Sequence, residues 1–520
     1  MRAVAGMTVQ VAAVDLGAES GRVTVVSFDG ARFCFDVAAR FPNGPVVTDG
    51  VLRWDVNRLW GEISSGLGRL ACAAAPIASV GVDAWGVDYG LLGATGALLD
   101  DPVSYRDGRN QASFDAAVAE LGAGRLYRST GVQLLPINTL FGLLTEARDQ
   151  PERLEAATTL LMIADIFHHR LSGARVSEST SVSTSGAYDM AVGAWATDLL
   201  DALRIPTHML PEVVPAGTDV GPLTGAVATG SLADTRVIVP AAHDTASAVV
   251  ATPLTDPGSL YISSGTWSLA GVEAPAPVIT ERSRSANLTN EGGYAGTTRL
   301  LRNVMGLWIL QECRRHWGRE GHQLSYAELV GMAGAETPLV SVVDPDDPVF
   351  LRPGDMPRRV RDYCARHGVP VPHSIAAVTR CVIDSLALSY RCVVDDIAMV
   401  TGRRPASINI VGGGAQNELL SQLAADATGL PVRCGPVEAT ALGNAAVQLS
   451  ALGELAGLAE IREAVGASTT LVDYLPATDS RWDPAYDCFM QLRAARRDPS
   501  VPWTDELGRH HSTTEGTSDP

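Results

Sequence analysis

Lysine is absent from this sequence: all 40 basic residues among its 520 are arginines. The Walker A phosphate loop and the protein-kinase phosphate site both use a lysine, so the ordinary form of either is excluded. Any phosphate chemistry must rest on backbone amides, hydroxyls, arginine and metal. Positive charge is also in the minority, with 58 acidic residues and a formal net charge of -18. That balance argues against a general affinity for nucleic acid or anionic membrane and favours a small-molecule partner. No apolar run of eighteen residues occurs, and the N-terminus lacks the basic-then-apolar pattern of a signal peptide, so neither a membrane span nor secretion is expected. Met7 reads as the start, since the first strand begins only after it. The eight cysteines form no C-x-x-C pair and no zinc spacing, which fits a reducing cytoplasm. Cys364 and Cys381 flank a loop and are the pair considered for a bridge.

What is present is a chain for packing: 46% apolar and 19% charged. At this length one core does not suffice, because a single core rarely grows past roughly 250–300 residues. The expected lobes are 7–250 and 251–490, with 491–520 a disordered tail that is polar and aperiodic from Arg497 on. Val9 to Leu16 reads as a buried strand, Gly17 to Gly21 as a tight turn, Arg22 to Phe28 as a second strand and Ala31 to Ala39 as a third. Asp55 then caps a helix with apolar residues at Val56, Leu59, Trp60, Ile63, Leu67 and Leu70. A further strand runs from Ala78 to Asp83. This order is that of the ribonuclease-H-like unit of the actin, Hsp70 and hexokinase superfamily. A second strand-turn-strand spans Ser259 to Val272, and Ser407 to Val411 runs through Gly412–Gly414 into a helix capped near Asn417. The expected fold is α/β, with two such units and a cleft between them.

The first turn, Asp15-Leu16-Gly17-Ala18-Glu19-Ser20-Gly21-Arg22, joins a carboxylate at a strand end to glycines that let amides approach an anion. Asp15 could hold Mg²⁺ while Ser20 and the amides of Ala18 to Gly21 face a terminal phosphate; an ordinary hairpin turn reads equally well. Ser263 to Thr266 is the matching turn of the second half. Asp244 follows the apolar strand Val237 to Pro240, where α/β folds place functional groups. It could accept a hydroxyl proton, or cap the following helix. His243 beside it could bind a sugar hydroxyl or be a satisfied core histidine. Gly412–Gly414 would let an adenosine lie against the backbone at a helix N-terminus.

Together the segments GVDAWGVDY (Gly81–Tyr89), HDTASA (His243–Ala248), SSGTWS (Ser263–Ser268), NLTNEGG (Asn287–Gly293), NVMGLW (Asn303–Trp308) and GPVEAT (Gly435–Thr440) resemble the FGGY carbohydrate kinases. The resemblance runs from about Val11 to Tyr486 and is strongest to the branch that phosphorylates L-rhamnulose. It implies ATP-dependent transfer to the sugar's C1 hydroxyl, with ATP and Mg²⁺ as cofactors and L-rhamnulose or a related ketose as partner, in a cytoplasmic monomer or homodimer. It also implies Asp244 as proton acceptor, Gly86, His243, Thr245 and Asn303 at the sugar, and Ala18, Glu19, Ser20, Gly21, Arg22, Thr266, Gln311 and Gly413 at ATP. Tyr105-Arg106-Asp107-Gly108-Arg109 is similar to the family's W-x-D-x-R box, with tyrosine for tryptophan, and Arg109 is expected to shape the cleft. Glu19 departs from the small polar residue common in the first phosphate turn and puts a negative charge near the expected triphosphate. Alternatives are a kinase for fuculose, xylulose or ribulose, a sugar or nucleotide sensor without turnover, and a chaperone-like ATPase. The short tail leaves no room for the chaperone's peptide-binding domain.

Overall fold

The computed structural model describes residues 8–496 apart from Thr255 and Pro257, and of Arg496 the backbone only. Two sheets organise it. In the first, β1 (Val9–Leu16), β2 (Ser20–Phe28) and β3 (Phe33–Pro42) form an antiparallel meander. Helix α1 (Val56–Leu70) crosses over, and β4 (Ser79–Ala84) returns parallel to β1. With β5 (Asp219–Pro222) and β6 (Arg236–Ile238) the order is β5-β6-β4-β1-β2-β3, and helix α2 (Asp244–Val250) follows β6. The second sheet repeats the plan. β7 (Leu260–Ser264), β8 (Ser268–Ala274), β9 (Thr289–Gly292) and β10 (Thr298–Val304) make its antiparallel ladder. After α3 (Trp308–Arg319) and α4 (Ile375–Thr401) comes β11 (Ile408–Val411), parallel to β7. Then α5 (Glu418–Thr428), β12 (Val432–Cys434), α6 (Ala439–Ala451) and β13 (Val472–Tyr474) complete the order β9-β10-β8-β7-β11-β12-β13. Each sheet thus has a first strand flanked by an antiparallel hairpin partner on one side and a parallel strand on the other, the ribonuclease-H-like arrangement.

Local chemistry explains the bounds. β1 is buried along Val11–Leu16 because strands lie on both sides of it and helices on its faces. The Asp29 carboxylate accepts from the amides of Ala31 and Arg32, an Asx turn that delays β3 to Phe33 rather than the Ala31 expected from sequence. Asp55 caps α1 by accepting from the Arg58 amide at 2.8 Å, and Val56, Leu59, Ile63, Leu67 and Leu70 are the buried stripe.

Residues 89–215, between β4 and β5, form an insertion with its own core. The strands Tyr89–Leu92 and Thr159–Met162 pair there, and Leu91, Phe141, Leu143 and Leu160 pack together. The lobes share a third core. Leu442, Ala445 and Val447 of α6 pack on Val11, Ala13 and Val26 of the first sheet. Gln448, fully buried, donates to the Ala12 carbonyl at 3.0 Å and accepts from Ser79 Oγ at 2.7 Å. A helix that joins two strands of the second sheet in sequence therefore lies on the first.

The last described helix, Trp482–Arg496, crosses the point at 491 where the sequence suggests a tail. Phe489 and Leu492 are buried in the second-lobe core, which holds that segment helical; the rest of the expected tail, 497–520, lies outside the described residues, as does Met7. Cys364 and Cys381 are both buried and unbridged. No helix among the described residues is long and apolar enough to cross a membrane.

Candidate active site

The carboxyl ends of β1, β4, β7 and β11 and the start of α2 converge on a cavity of about 300 Å³ between the lobes, the place where open α/β sheets bind ligands. Asp15, buried near the carboxyl end of β1 but lining the cavity, pairs in register with Asp83 near the end of β4. Burial raises the Asp15 carboxyl above its usual range against the pull of Arg22, whose Nε lies 3.1 Å from Oδ2. Burial, reinforced by Asp15, pushes Asp83 well up. One Asp83 oxygen accepts from Asn444 Nδ2 at 2.6 Å, while Oδ1 is buried without a partner. Asp244 is the third carboxylate here, and its charge raises both of the others.

Asp244 occupies the first position of α2, with His243 as N-cap, so it does not cap the helix. Its side chain is 28% exposed and lines the cavity. Oδ1 accepts from the Thr245 amide at 2.5 Å and Thr245 Oγ1 at 3.2 Å, and His243 Nε2 stands 3.5 Å away. Burial raises its pKa, opposed by His243. The loop before it is pinned from behind. Glu178, fully buried, accepts from the Ala242 amide at 3.0 Å and from Thr180 Oγ1 at 2.5 Å, and Thr180 Oγ1 in turn accepts from the His243 amide at 3.1 Å.

The other wall is made by turns. Gly17–Glu19 links β1 to β2 and Gly265–Trp267 links β7 to β8, each closed by one backbone bond, Gly17 N to Ser20 O and Gly265 N to Trp267 O. Gly412 has φ +82° and lies on Ser264; a Cβ on Gly414 would come within 2.0 Å of Ser264 Oγ, so that close approach requires glycine. Gly413 faces open space. Gln311 of α3 lines the cavity with its Oε1 buried and unpartnered. Glu19 does not point its charge freely at the turn: it pairs with Arg315 of α3, which also holds Glu312. Arg22 similarly pairs across the cleft with Glu438 at the start of α6.

The remaining wall comes from the insertion and the β4 end. Trp85, Gly86 and Val87 face Val132, Leu135, Ile137 and Asn138. Thr184 Oγ1 accepts from the Val87 amide at 3.0 Å, and a Cβ on Gly86 would meet it at 3.0 Å. Asn303 of β10 reaches the cavity, its backbone and side chain both donating to Gln133 Oε1, at 3.0 and 3.2 Å. Beneath Trp85, Asp88 accepts from the indoles of Trp54 at 2.5 Å and Trp85 at 2.8 Å, and burial raises it to about 7.

Of the residues expected from sequence, Asp15, Ala18, Glu19, Ser20, Arg22, Gly86, His243, Asp244, Thr245, Thr266, Asn303, Gln311 and Gly413 all line this cavity. Gly21 and Arg109 do not. Gly21 is required by packing, since a Cβ there would lie 2.2 Å from the Phe41 ring. Arg109 is turned to Glu146, 3.2 Å away, and it is Arg106 of the same box that reaches the other lobe, its guanidinium 3.6 Å from the Trp308 ring centroid. Sequence reasoning passed over Asp83, Gln133, Glu178, Glu291, Arg299 and Glu438. Asp83 carried a signal, an aspartate ending a strand as Asp15 does; the others become neighbours of the site only through folding.

Residues 10–251 match the N-terminal domain model of the FGGY family of carbohydrate kinases and residues 260–452 match its C-terminal domain model. The chain belongs to this family of kinases. At 40% identity over 476 residues, 91% of this chain and 97% of the other, it is similar to the rhamnulokinase of Bacteroides thetaiotaomicron. It is 41% identical over 505 residues, 97% and 99% of the two chains, to the rhamnulokinase of Pectobacterium carotovorum. In fold it is similar to xylulose kinase from Lactobacillus acidophilus, with TM-score 0.76 at 18% identity over 94% of this chain and 98% of that one. It is also similar to Plasmodium falciparum glycerol kinase, with TM-score 0.73 at 13% identity over the same shares.

Proposed function

We propose that this kinase transfers the γ-phosphoryl group of ATP to the C1 hydroxyl of L-rhamnulose, giving L-rhamnulose 1-phosphate and ADP. The observation that carries the reading is the Asp244 carboxylate, open to a cavity whose facing wall is two hairpin turns from different lobes. The choice of sugar rests on the rhamnulokinases at 40% and 41% identity.

In this reading Asp244 takes the C1 hydroxyl proton as the oxygen forms its bond to the γ-phosphorus and the bond to the β-phosphate oxygen breaks, its electrons leaving with ADP. A carboxylate raised by burial is a stronger base than a free one, which suits it to the task. Thr245 and His243 hold Oδ1, leaving Oδ2 for the substrate. Gly86, His243, Thr245 and Asn303 frame the sugar. Ala18, Glu19, Ser20, Arg22, Thr266, Gln311 and Gly413 frame the nucleotide, whose phosphates meet the turn amides. Gly21 and Arg109 act at one remove, through Phe41 and Glu146. Closure of the lobes keeps water from the transferring phosphoryl group.

Among the described residues no three His, Cys, Asp or Glu side chains form a complete metal cage. Asp15, which lines the cavity with Asp83 buried beside it, nevertheless fits Mg²⁺, which ordinarily takes one or two carboxylates together with substrate phosphates and waters. When bound there it would offset the phosphate charge.

Turnover of a panel of ketoses, followed by ADP release, should favour L-rhamnulose; a preference for fuculose, xylulose or ribulose overturns the substrate. Asp244→Asn should still bind ATP while turnover falls on the order of 10²–10⁴-fold. Near-normal turnover in that variant would refute Asp244 as the base.

A further inference from the structure

Behind Asp244 lies a buried charged group that the reaction as described does not use. Arg299 on β10 and Glu291 on β9 belong to the second lobe, yet they meet His243 of the first. Arg299 is fully buried. Its Nε donates to the Gly292 carbonyl at 2.8 Å, and its Nη2 stands 3.1 Å from Glu291 Oε2 and 3.0 Å from His243 Nδ1. Glu291, itself buried, sets its carboxylate against this guanidinium as a counter-charge.

We infer that Arg299 and Glu291 are positioning residues that fix the tautomer of His243 across the lobe boundary, so that its Nε2 carries the proton and faces Asp244. This rests on the reading of Asp244 given above. Guanidinium has donors only. A ring nitrogen 3.0 Å from it must accept, so Nδ1 is bare and the proton of the neutral ring sits on Nε2. Nη2 donates to His243 Nδ1 and stands 3.1 Å from Glu291 Oε2 as its counter-charge, although Oε2 itself accepts no hydrogen bond. Nε2–H, 3.5 Å from Asp244 Oδ1, steadies that oxygen and leaves the other free to receive a proton. Glu291 alone would favour the opposite tautomer, since a carboxylate 3.4 Å from Nδ1 asks for a proton there. Arg299 is therefore the deciding member. Its position on the second lobe means that the base side of the site is complete only when the two lobes are packed together.

The test reads the tautomer directly. In free protein carrying 15N-histidine, with the His243 signals assigned from a His243→Gln sample, Nδ1 should show the unprotonated shift and Nε2 the protonated one. The reverse pattern in the wild type overturns the proposal, and needs no variant to fold. Arg299→Met should move the proton to Nδ1 and lower kcat on the order of 10²-fold with the KM for ATP unchanged, the pattern of a misplaced group rather than a lost binding contact. If that variant does not fold, Arg299→Met with Glu291→Met, which leaves no buried charge unpaired, should fold and show mixed tautomers. An unaltered His243 spectrum in either folded variant overturns the inference. Because the spectrum is taken without substrate, it stands or falls separately from the turnover of Asp244→Asn.

Discussion

At the scale of single residues, burial is what adjusts the acids of this site. Asp88 is raised to about 7 because its carboxyl lies among Trp54, Trp85 and Tyr105, with two indole N–H donors opposing the shift. Between about pH 4, where an unfolded aspartate titrates, and about pH 7, the folded chain keeps a proton that the unfolded chain has lost. The unfolded state then binds fewer protons, so stability falls as pH rises through that window and levels off above it. The contribution is at most about 4 kcal/mol. Urea midpoints of the wild type should therefore drop between pH 5 and pH 8, and the drop should narrow in Asp88→Asn; an equal drop in both would remove Asp88 from the account. Asp244 is shifted the same way. The acid limb of the kcat/KM profile should accordingly lie above the pH of an ordinary aspartate, and should be absent from the residual activity of Asp244→Asn.

Glu19 is also decided at this scale. Its sequence position sets a negative charge in a phosphate turn, but the fold gives it Arg315 as a partner. The pair binds one cation and one anion that a triphosphate would respectively attract and repel. Glu19→Gln should lower the KM for ATP by roughly fivefold, the worth of about 1 kcal/mol for one charge pair in water, and the gain should shrink as salt screens it. A raised KM would mean that the pair serves nucleotide binding instead.

At the scale of elements, α6 and α2 touch through a glycine. A Cβ on Gly443 would lie 1.8 Å from the Ser247 carbonyl oxygen, a backbone atom that cannot step aside alone. Gly443→Ala must push α2 away, and α2 begins with Asp244. The expected cost is about 1–3 kcal/mol of stability, from overpacking, together with a fall in kcat out of proportion to any change in the KM for ATP. Thermal unfolding and steady-state kinetics on the one variant check both. The same helix carries Asn444 and Gln448 onto β1 and β4, so the element that supports the base also supports Asp83.

Over the whole molecule, the site exists because two copies of one unit face each other. Contacts that cross the cleft are of unlike kinds: ion pairs at Glu19–Arg315 and Arg22–Glu438, the Arg106 guanidinium on the Trp308 ring, and the apolar seam of α6 on the first sheet. Partly exposed pairs of this sort contribute modestly and weaken with salt, whereas the apolar seam does not. Raising ionic strength should thus loosen the cleft without separating the lobes. Small-angle scattering should show a modest widening in salt and no extended, two-body profile, and an extended profile would place the holding force in the ion pairs.

Much of this was open to reading in the chain itself. Val9–Leu16 carries its strand in the apolar run Val11–Val14, α1 in its Asp55 cap and spaced apolar residues, and the two turns and Gly412–Gly414 in residue types that only such backbone geometry requires. These features are local, set by the chemistry of neighbours along the chain, and so the repeated unit and most of the cavity lining could be named from sequence. Which distant side chains share a hydrogen bond could not. That Arg299 rather than Arg109 stands beside the site, that Glu19 has a counter-charge, and that α6 lies on the first sheet all depend on how two sheets pack. Such pairings join residues dozens to hundreds of positions apart, and only the closed tertiary structure brings them within reach of one another.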